Sequence, residues 1–133
     1  MFTGSRAVQP RQCVRLIDPA RFRQVRQEGR SWVHPLLVLC ALPNERPYSR
    51  FGISASRWVG KAVVRNRAKR RLREAIRGLW GGVSPGWDLV FVVRPSLRQR
   101  RFEHIVAAVR GVLQQAGLLL RMRTEVEEEA GHR

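Results

Sequence analysis

Residues 61–77, KAVVRNRAKRRLREAIR, hold eight Lys or Arg side chains against a single acid, Glu74. At about 100° per residue, Ala68, Leu72, Ala75, Ile76 and Leu79 fall within one third of a helical circumference. Asn66, Arg70, Arg73 and Arg77 project from the opposite side, with Arg67 and Lys69 at its margins. An amphipathic helix laid on a core satisfies both faces at once. Its polar side has little to neutralise it from within, because Glu74 with Arg70 or Arg71 is the only helical pair on offer. A merely solvated helix ordinarily mixes signs, so crowded guanidinium groups point to a polyanion.

The rest of the chain carries the same signal. The 133 residues have a formal net charge of +16, and four of the ten acids lie after residue 124. Residues 1–124 hold 25 basic and six acidic side chains, a charge of +19. A field of that size calls for nucleic acid or a membrane surface. All the cations but Lys61 and Lys69 are Arg, whose planar fork grips phosphate and stacks on bases, which suits RNA. A G+C-rich genome enriches Arg for reasons unrelated to binding, so this signal is discounted by about half. The hydrophobic fraction of 44% sustains one core. No run approaches the roughly 18 apolar residues of a membrane span, and the start has no apolar secretory segment. Cys13 and Cys40 show neither metal spacing nor a disulfide framework, so a reducing cytoplasm is expected, with Cys40 a small buried hydrophobe.

Residues 1–14 read as a flexible basic arm, 15–122 as one domain and 123–133 as an acidic, disordered tail. Within the domain, Asp18 as N-cap, Pro19 at the first helical position and Gly29 past the last turn bracket a helix. Phe22 and Val25 form its apolar side. Residues 32–42, WVHPLLVLCAL, are cut by Pro35 into a short strand and a longer one over 36–42. Residues 48–56 alternate, with Phe51, Ile53 and Ala55 inward against Arg50, Gly52, Ser54 and Ser56. The basic helix ends near Trp80-Gly81-Gly82. Residues 88–94, DLVFVVR, predict a strand buried on both faces, with Asp88 as a strand-entry residue and Pro95 as its stop. A 3.6-residue period predicts a last helix from Gln99 to Met122. The order suggests an α+β fold in which helices cover one face of one sheet. The other face would be open or partly shielded by the first helix.

Catalytic constellations are missing. His34, His104 and His132 are scattered, with no i,i+4 metal pair. No Gly-rich phosphate loop, nucleophile elbow or carboxylate pair is present. A two-metal nuclease needs several clustered carboxylates to hold its ions. No catalytic or metal-binding residue is therefore assigned, and any reacting groups and metals belong mostly to a partner.

The block GISASRWVGKAVVRNRAKRRLREAIR, residues 52–77, resembles the signature of the bacterial ribonuclease P protein subunit, with its Arg-Asn-Arg core at Arg65, Asn66 and Arg67. The resemblance runs from about Arg15 to Leu120. It takes in Phe22, Val25 and Gly29, the strands over 36–42 and 50–56, and VVRP at 92–95. It implies a two-layer α/β sandwich of the ribosomal protein S5 domain 2-like kind, with a mixed sheet in α-β-β-β-α-β-α order. It also implies that the basic helix makes a left-handed crossover between parallel strands, where a right-handed one would be the default. The family's protein accompanies a catalytic RNA that removes the 5′ leader of precursor tRNA. In that family the RNA supplies the active site and holds Mg2+, while the protein stabilises the RNA fold and holds the leader. By position, Lys61, Arg65, Asn66, Arg67, Lys69, Arg70 and Arg73 would face the catalytic RNA. The leader would lie between the first helix and the open sheet face, near Phe22, Arg26, Leu37, Arg50 and Arg94. There cations follow the backbone and apolar groups meet bases. Neither a membrane nor a small-molecule substrate is implied.

The chain departs from the family pattern in places. Arg26 stands where many members have a second Phe, and Cys40 where an aromatic is common. Each loses a stack worth about 1–3 kcal/mol per base, so leader binding leans on charge. Arg57-Trp58 replaces a common Lys-Lys pair and Lys61 a common Asn; Trp58 is either a stacking surface or a packed loop residue. Among competing classes, a ribosomal or assembly protein for structured RNA shares the charge and fold, and only the signature block argues against it. A helix-turn-helix module would need a short helix where 48–56 reads as strand. A membrane-surface helix would need an exposed Trp, Phe or Leu face.

Overall fold

The computed structural model describes residues 13–120, so residues 1–12 of the expected arm and the acidic tail lie outside the described residues. Helix α1 (Pro19–Glu28) starts as its caps demand: Asp18 Oδ1 accepts from the Ala20 N–H at 3.1 Å, and Pro19 fills the first position. It ends at Gly29, where a Cβ would lie 2.6 Å from the Ala41 carbonyl oxygen, so a side chain there would push the helix end off the sheet. The sheet is five-stranded, in the order β1-β4-β5-β3-β2. Its strands are β1 (Val14–Arg15), β2 (Arg30–Val33), β3 (Leu37–Pro43), β4 (Arg50–Ser54) and β5 (Trp87–Val93). Strands β1, β4 and β5 run parallel, while β3 is antiparallel to both β5 and β2. Helix α2 (Ala62–Leu79) is the crossover between the parallel neighbours β4 and β5, and α3 (Phe102–Gln115) follows β5. After the short β1 the order is α-β-β-β-α-β-α, as expected.

Alternation along the strands separates two cores. Leu37, Leu39, Ala41, Phe51, Leu89, Phe91 and Val93 belong to the larger one, with Ala68, Leu72, Ala75 and Ile76 of α2 and Ile105, Val109, Val112 and Leu113 of α3. Trp80 closes it, tilted against Phe51 at 5.1 Å between ring centroids. The alternate residues Val38, Cys40, Leu42, Val90 and Val92 meet Leu16, Phe22 and Val25 on the opposite face. That face is thus partly covered, because α1 packs on β3 and β5. Cys40 is a buried hydrophobe there, as expected.

Several boundaries differ from expectation. Val14, counted with the arm, pairs with Arg50 as part of β1. The strand expected over 48–56 contracts to Arg50–Ser54, because Ser56 opens a turn by accepting from the Val59 N–H at 3.0 Å. The last helix stops at Gln115 rather than Met122. Gly117 takes φ 75°, donating to the Gln114 carbonyl at 3.0 Å, and Leu118 donates to the Leu113 carbonyl at 2.9 Å, which is a Schellman stop. The apolar period outlasts the helix because Leu118 is still buried and Leu119 bridges to Val83. The same helix starts at Phe102 rather than Gln99, since Gln99 ends a 3₁₀ turn over 95–99 and Arg100 and Arg101 are extended.

Candidate nucleic-acid interface

Burying Ala68, Leu72, Ala75 and Ile76 turns the arginine side of α2 outward. Lys61, Asn66, Arg67 and Arg70 are exposed, while Arg65, Lys69 and Arg73 are half-buried at its flanks. The pair Glu74 makes is with Arg77, three residues on, rather than the expected Arg70 or Arg71; at 3.2 Å and with both side chains largely exposed, it neutralises little. Arg71 donates through Nη2 to the Arg100 carbonyl at 2.6 Å, fastening α2 to the start of α3. Arg73 is the strained member. Burial lowers its pKa, and the charges of Arg15, Arg77 and Arg70 lower it further. Its Nε is buried with no hydrogen-bond partner. A guanidinium remains protonated at neutral pH, so the group is a cation missing an acceptor. Arg15 of β1 joins this cluster, a contribution no local pattern announces. Beside it lies a groove of about 690 Å³ between Arg70, Arg71, Arg73, Glu74, Arg77 and Phe102.

The second region lies on the α1 side of the sheet. Phe22 covers Gly52 so closely that a methyl there would overlap its ring. Arg26 is exposed on α1, and its charge acts on the Cys40 thiol, although burial dominates and pushes that thiol up. Arg94 is exposed at the end of β5, with Nη1 3.4 Å from the His34 carbonyl. Phe22 and Arg26 thus belong to α1, and Arg94 directly follows a strand that α1 covers.

Leu37 does not join them, whereas Arg50 shares their face of the sheet but is engaged there. Leu37 is 0% exposed and belongs to the α2–α3 core, because strand alternation gives the α1 face to its neighbour Val38. Arg50 is held by Asp88 instead of standing free: Nε donates to Oδ1 at 2.8 Å and Nη2 to Oδ2 at 2.7 Å. Asp88, read as a strand-entry residue, is the buried carboxylate on which Arg50, Arg21 and Asn44 converge. The available signal was parity. Asp88 alternates with Val90 and Val92, and an acid at a buried position requires charged partners. Trp58 is not a packed loop residue, since its side chain is 82% exposed.

Among the described residues, no three His, Cys, Asp or Glu side chains gather as a metal-binding group. No helix there is long and apolar enough to cross a membrane. The family model for ribonuclease P matches residues 11–117, which include both basic regions and the whole sheet. The chain belongs to the ribonuclease P protein family. A ribonuclease P protein component of Herpetosiphon aurantiacus is 47% identical over 104 residues, covering 78% of this chain and 85% of that one. That of Roseiflexus castenholzii is 44% identical over 106 residues, 79% of this chain and 87% of its own. Among solved structures, the ribonuclease P protein of Staphylococcus aureus superposes with a TM-score of 0.72 at 26% identity, covering 81% of this chain and 99% of that one. The Thermotoga maritima protein gives 0.70 at 30% identity, covering 76% and 96%. The mixed α+β sheet with its three helices among the described residues is therefore the fold of ribonuclease P proteins.

Proposed function

We propose that this chain is the RNA-binding subunit of a ribonucleoprotein ribonuclease P, in which a catalytic RNA removes the 5′ leader from precursor tRNA. The observation that carries the reading is Arg73, a cation crowded by Arg15, Arg70 and Arg77 whose Nε lacks an acceptor. A phosphate supplies the acceptor and the counter-charge together, and releasing condensed counterions drives the association. Lys61, Arg65, Asn66, Arg67, Lys69, Arg70 and Arg73 would bind the catalytic RNA and stabilise its active fold. Phe22, Arg26 and Arg94, with Val38 in place of Leu37, would hold the leader as a single strand, base planes on apolar groups and backbone on cations. Arg50 would act indirectly, through the seat it gives α1.

Magnesium would stabilise charge at the scissile phosphate when bound. Among the described residues the acids and histidines are scattered and do not fit it, so RNA phosphates are its proposed ligands. What these side chains do instead is neutralise phosphates, which lowers the magnesium the RNA needs to fold. Such a chain works in the cytoplasm, beside its RNA partners. The test is reconstitution with a candidate catalytic RNA at low magnesium. Leader removal should depend on both components, and cleavage by highly purified, RNA-free protein would overturn the division of labour.

A further inference from the structure

Trp58 is the most exposed large apolar side chain among the described residues, and it sits on a turn that is held in place. Its neighbour Val59 is wholly buried in the main core. The Val59 carbonyl accepts from Arg98 Nη1 at 2.6 Å, and the Gly60 carbonyl from Arg65 Nη1 at 3.0 Å. Backbone bonds from Val59 to Ser56 at 3.0 Å and from Gly60 to Arg57 at 3.1 Å close the turn. Gly60 adopts φ 149°, a conformation side chains rarely take, and a Cβ there would lie 2.9 Å from Val64. An indole left in water on a mobile loop would be unremarked surface. Here the backbone on either side is anchored, so the ring loses little conformational entropy when something stacks on it.

The surroundings select the partner. Arg57 precedes Trp58, Lys61 follows the turn, and Arg65 and Arg98 donate to its carbonyls. A second copy of this strongly cationic chain would be repelled, whereas a nucleic acid brings phosphates for the cations and a π-face for the indole. We propose that Trp58 is a stacking platform for one unpaired base of the catalytic RNA, with Arg57 and Lys61 on the adjoining phosphates. This rests on the reading of α2 as the RNA-binding face and adds to it a contact that is aromatic instead of ionic.

The test titrates the full chain, as wild type, Trp58→Ala, Trp58→Phe and Arg70→Ala, against the catalytic RNA over a range of salt. Trp58→Ala should bind between about 5- and 150-fold more weakly, the range for losing one base–aromatic stack. Its salt slope should stay that of wild type, because a stack releases no counterions. Trp58→Phe should recover most of the affinity. Circular dichroism melts should match throughout, since the ring makes no core contact. Wild-type affinity in Trp58→Ala, with Arg70→Ala still weakened, would overturn the platform and leave the α2 reading standing. Equal losses in Trp58→Phe and Trp58→Ala would also overturn it. A flat wild-type salt slope, with no variant affected, would remove the α2 reading and the platform together.

Discussion

Arg50 and Asp88 are register partners on the parallel strands β4 and β5, joined by two hydrogen bonds of 2.8 and 2.7 Å. Arg21 of α1 reaches the same carboxylate at 2.7 Å, and Asn44 of the β3–β4 loop donates to it at 2.9 Å. Arg21 also donates to the Pro43 carbonyl at 2.9 Å. One buried acid therefore ties a helix, a loop and two strands together. The seat of α1 over the sheet, and with it the position of Phe22, depends on that tie.

Asp88→Ala should accordingly be costly. Removing one member of a buried charge cluster leaves the others uncompensated, at about 3–5 kcal/mol. Urea unfolding reads this directly. A loss under about 1 kcal/mol would mean that Phe22 and Val25 seat α1 without it.

Acid should act through the same group. Burial raises the Asp88 pKa, but hydrogen bonds from Arg50, Asn44 and Arg21 more than reverse this and leave it below its ordinary 3.8. A carboxyl depressed in the folded state stabilises above its unfolded pKa and loses that contribution as pH falls through the folded value. Thermal midpoints should therefore drop below about pH 4, with a smaller drop in Asp88→Asn, which has no charge to lose.

On the RNA face, Arg70→Ala should lower the slope of log affinity against log salt by about one. Arg71→Ala should change it less, because that guanidinium is already engaged with the Arg100 carbonyl. Equal slopes in all three proteins would place the phosphates elsewhere.

The leader cleft gives a paired prediction. Phe22→Ala should impair processing of precursors with a leader of several nucleotides and spare those with a very short one. Gly52→Ala should behave alike, because its methyl displaces the Phe22 ring. Leu37→Ala should instead cost about 2–5 kcal/mol of stability with no dependence on leader length. A leader-dependent defect confined to Leu37→Ala would reverse the assignment of the two sheet faces.

The elements that were legible are those whose causes are local. Asp18 and Pro19 open α1 through contacts within a turn of themselves, and the Gly29 N–H closes it on the Val25 carbonyl four residues back. The stripe of Ala68, Leu72, Ala75 and Ile76 follows from the pitch of one helix, whatever it packs on. The end of α3 misled, because burial of Leu118 prolongs the apolar period past the residue that breaks the helix. Leu37 misled differently: alternation says that it and Val38 face opposite ways, but not which way α1 lies.

By itself, then, the amino-acid order determined that this chain has a cationic helix with an apolar back and a sheet to lay it on. Periodicity and capping act over a few residues and need no partner. Only the tertiary structure decided how the cations are used. Arg50 is spent on an acid 38 positions away, Arg73 Nε is left without an acceptor, and Trp58 is held out in water. Charge and exposure depend on which distant segments meet, and that is settled when β4 and β5 pair and the helices cover them.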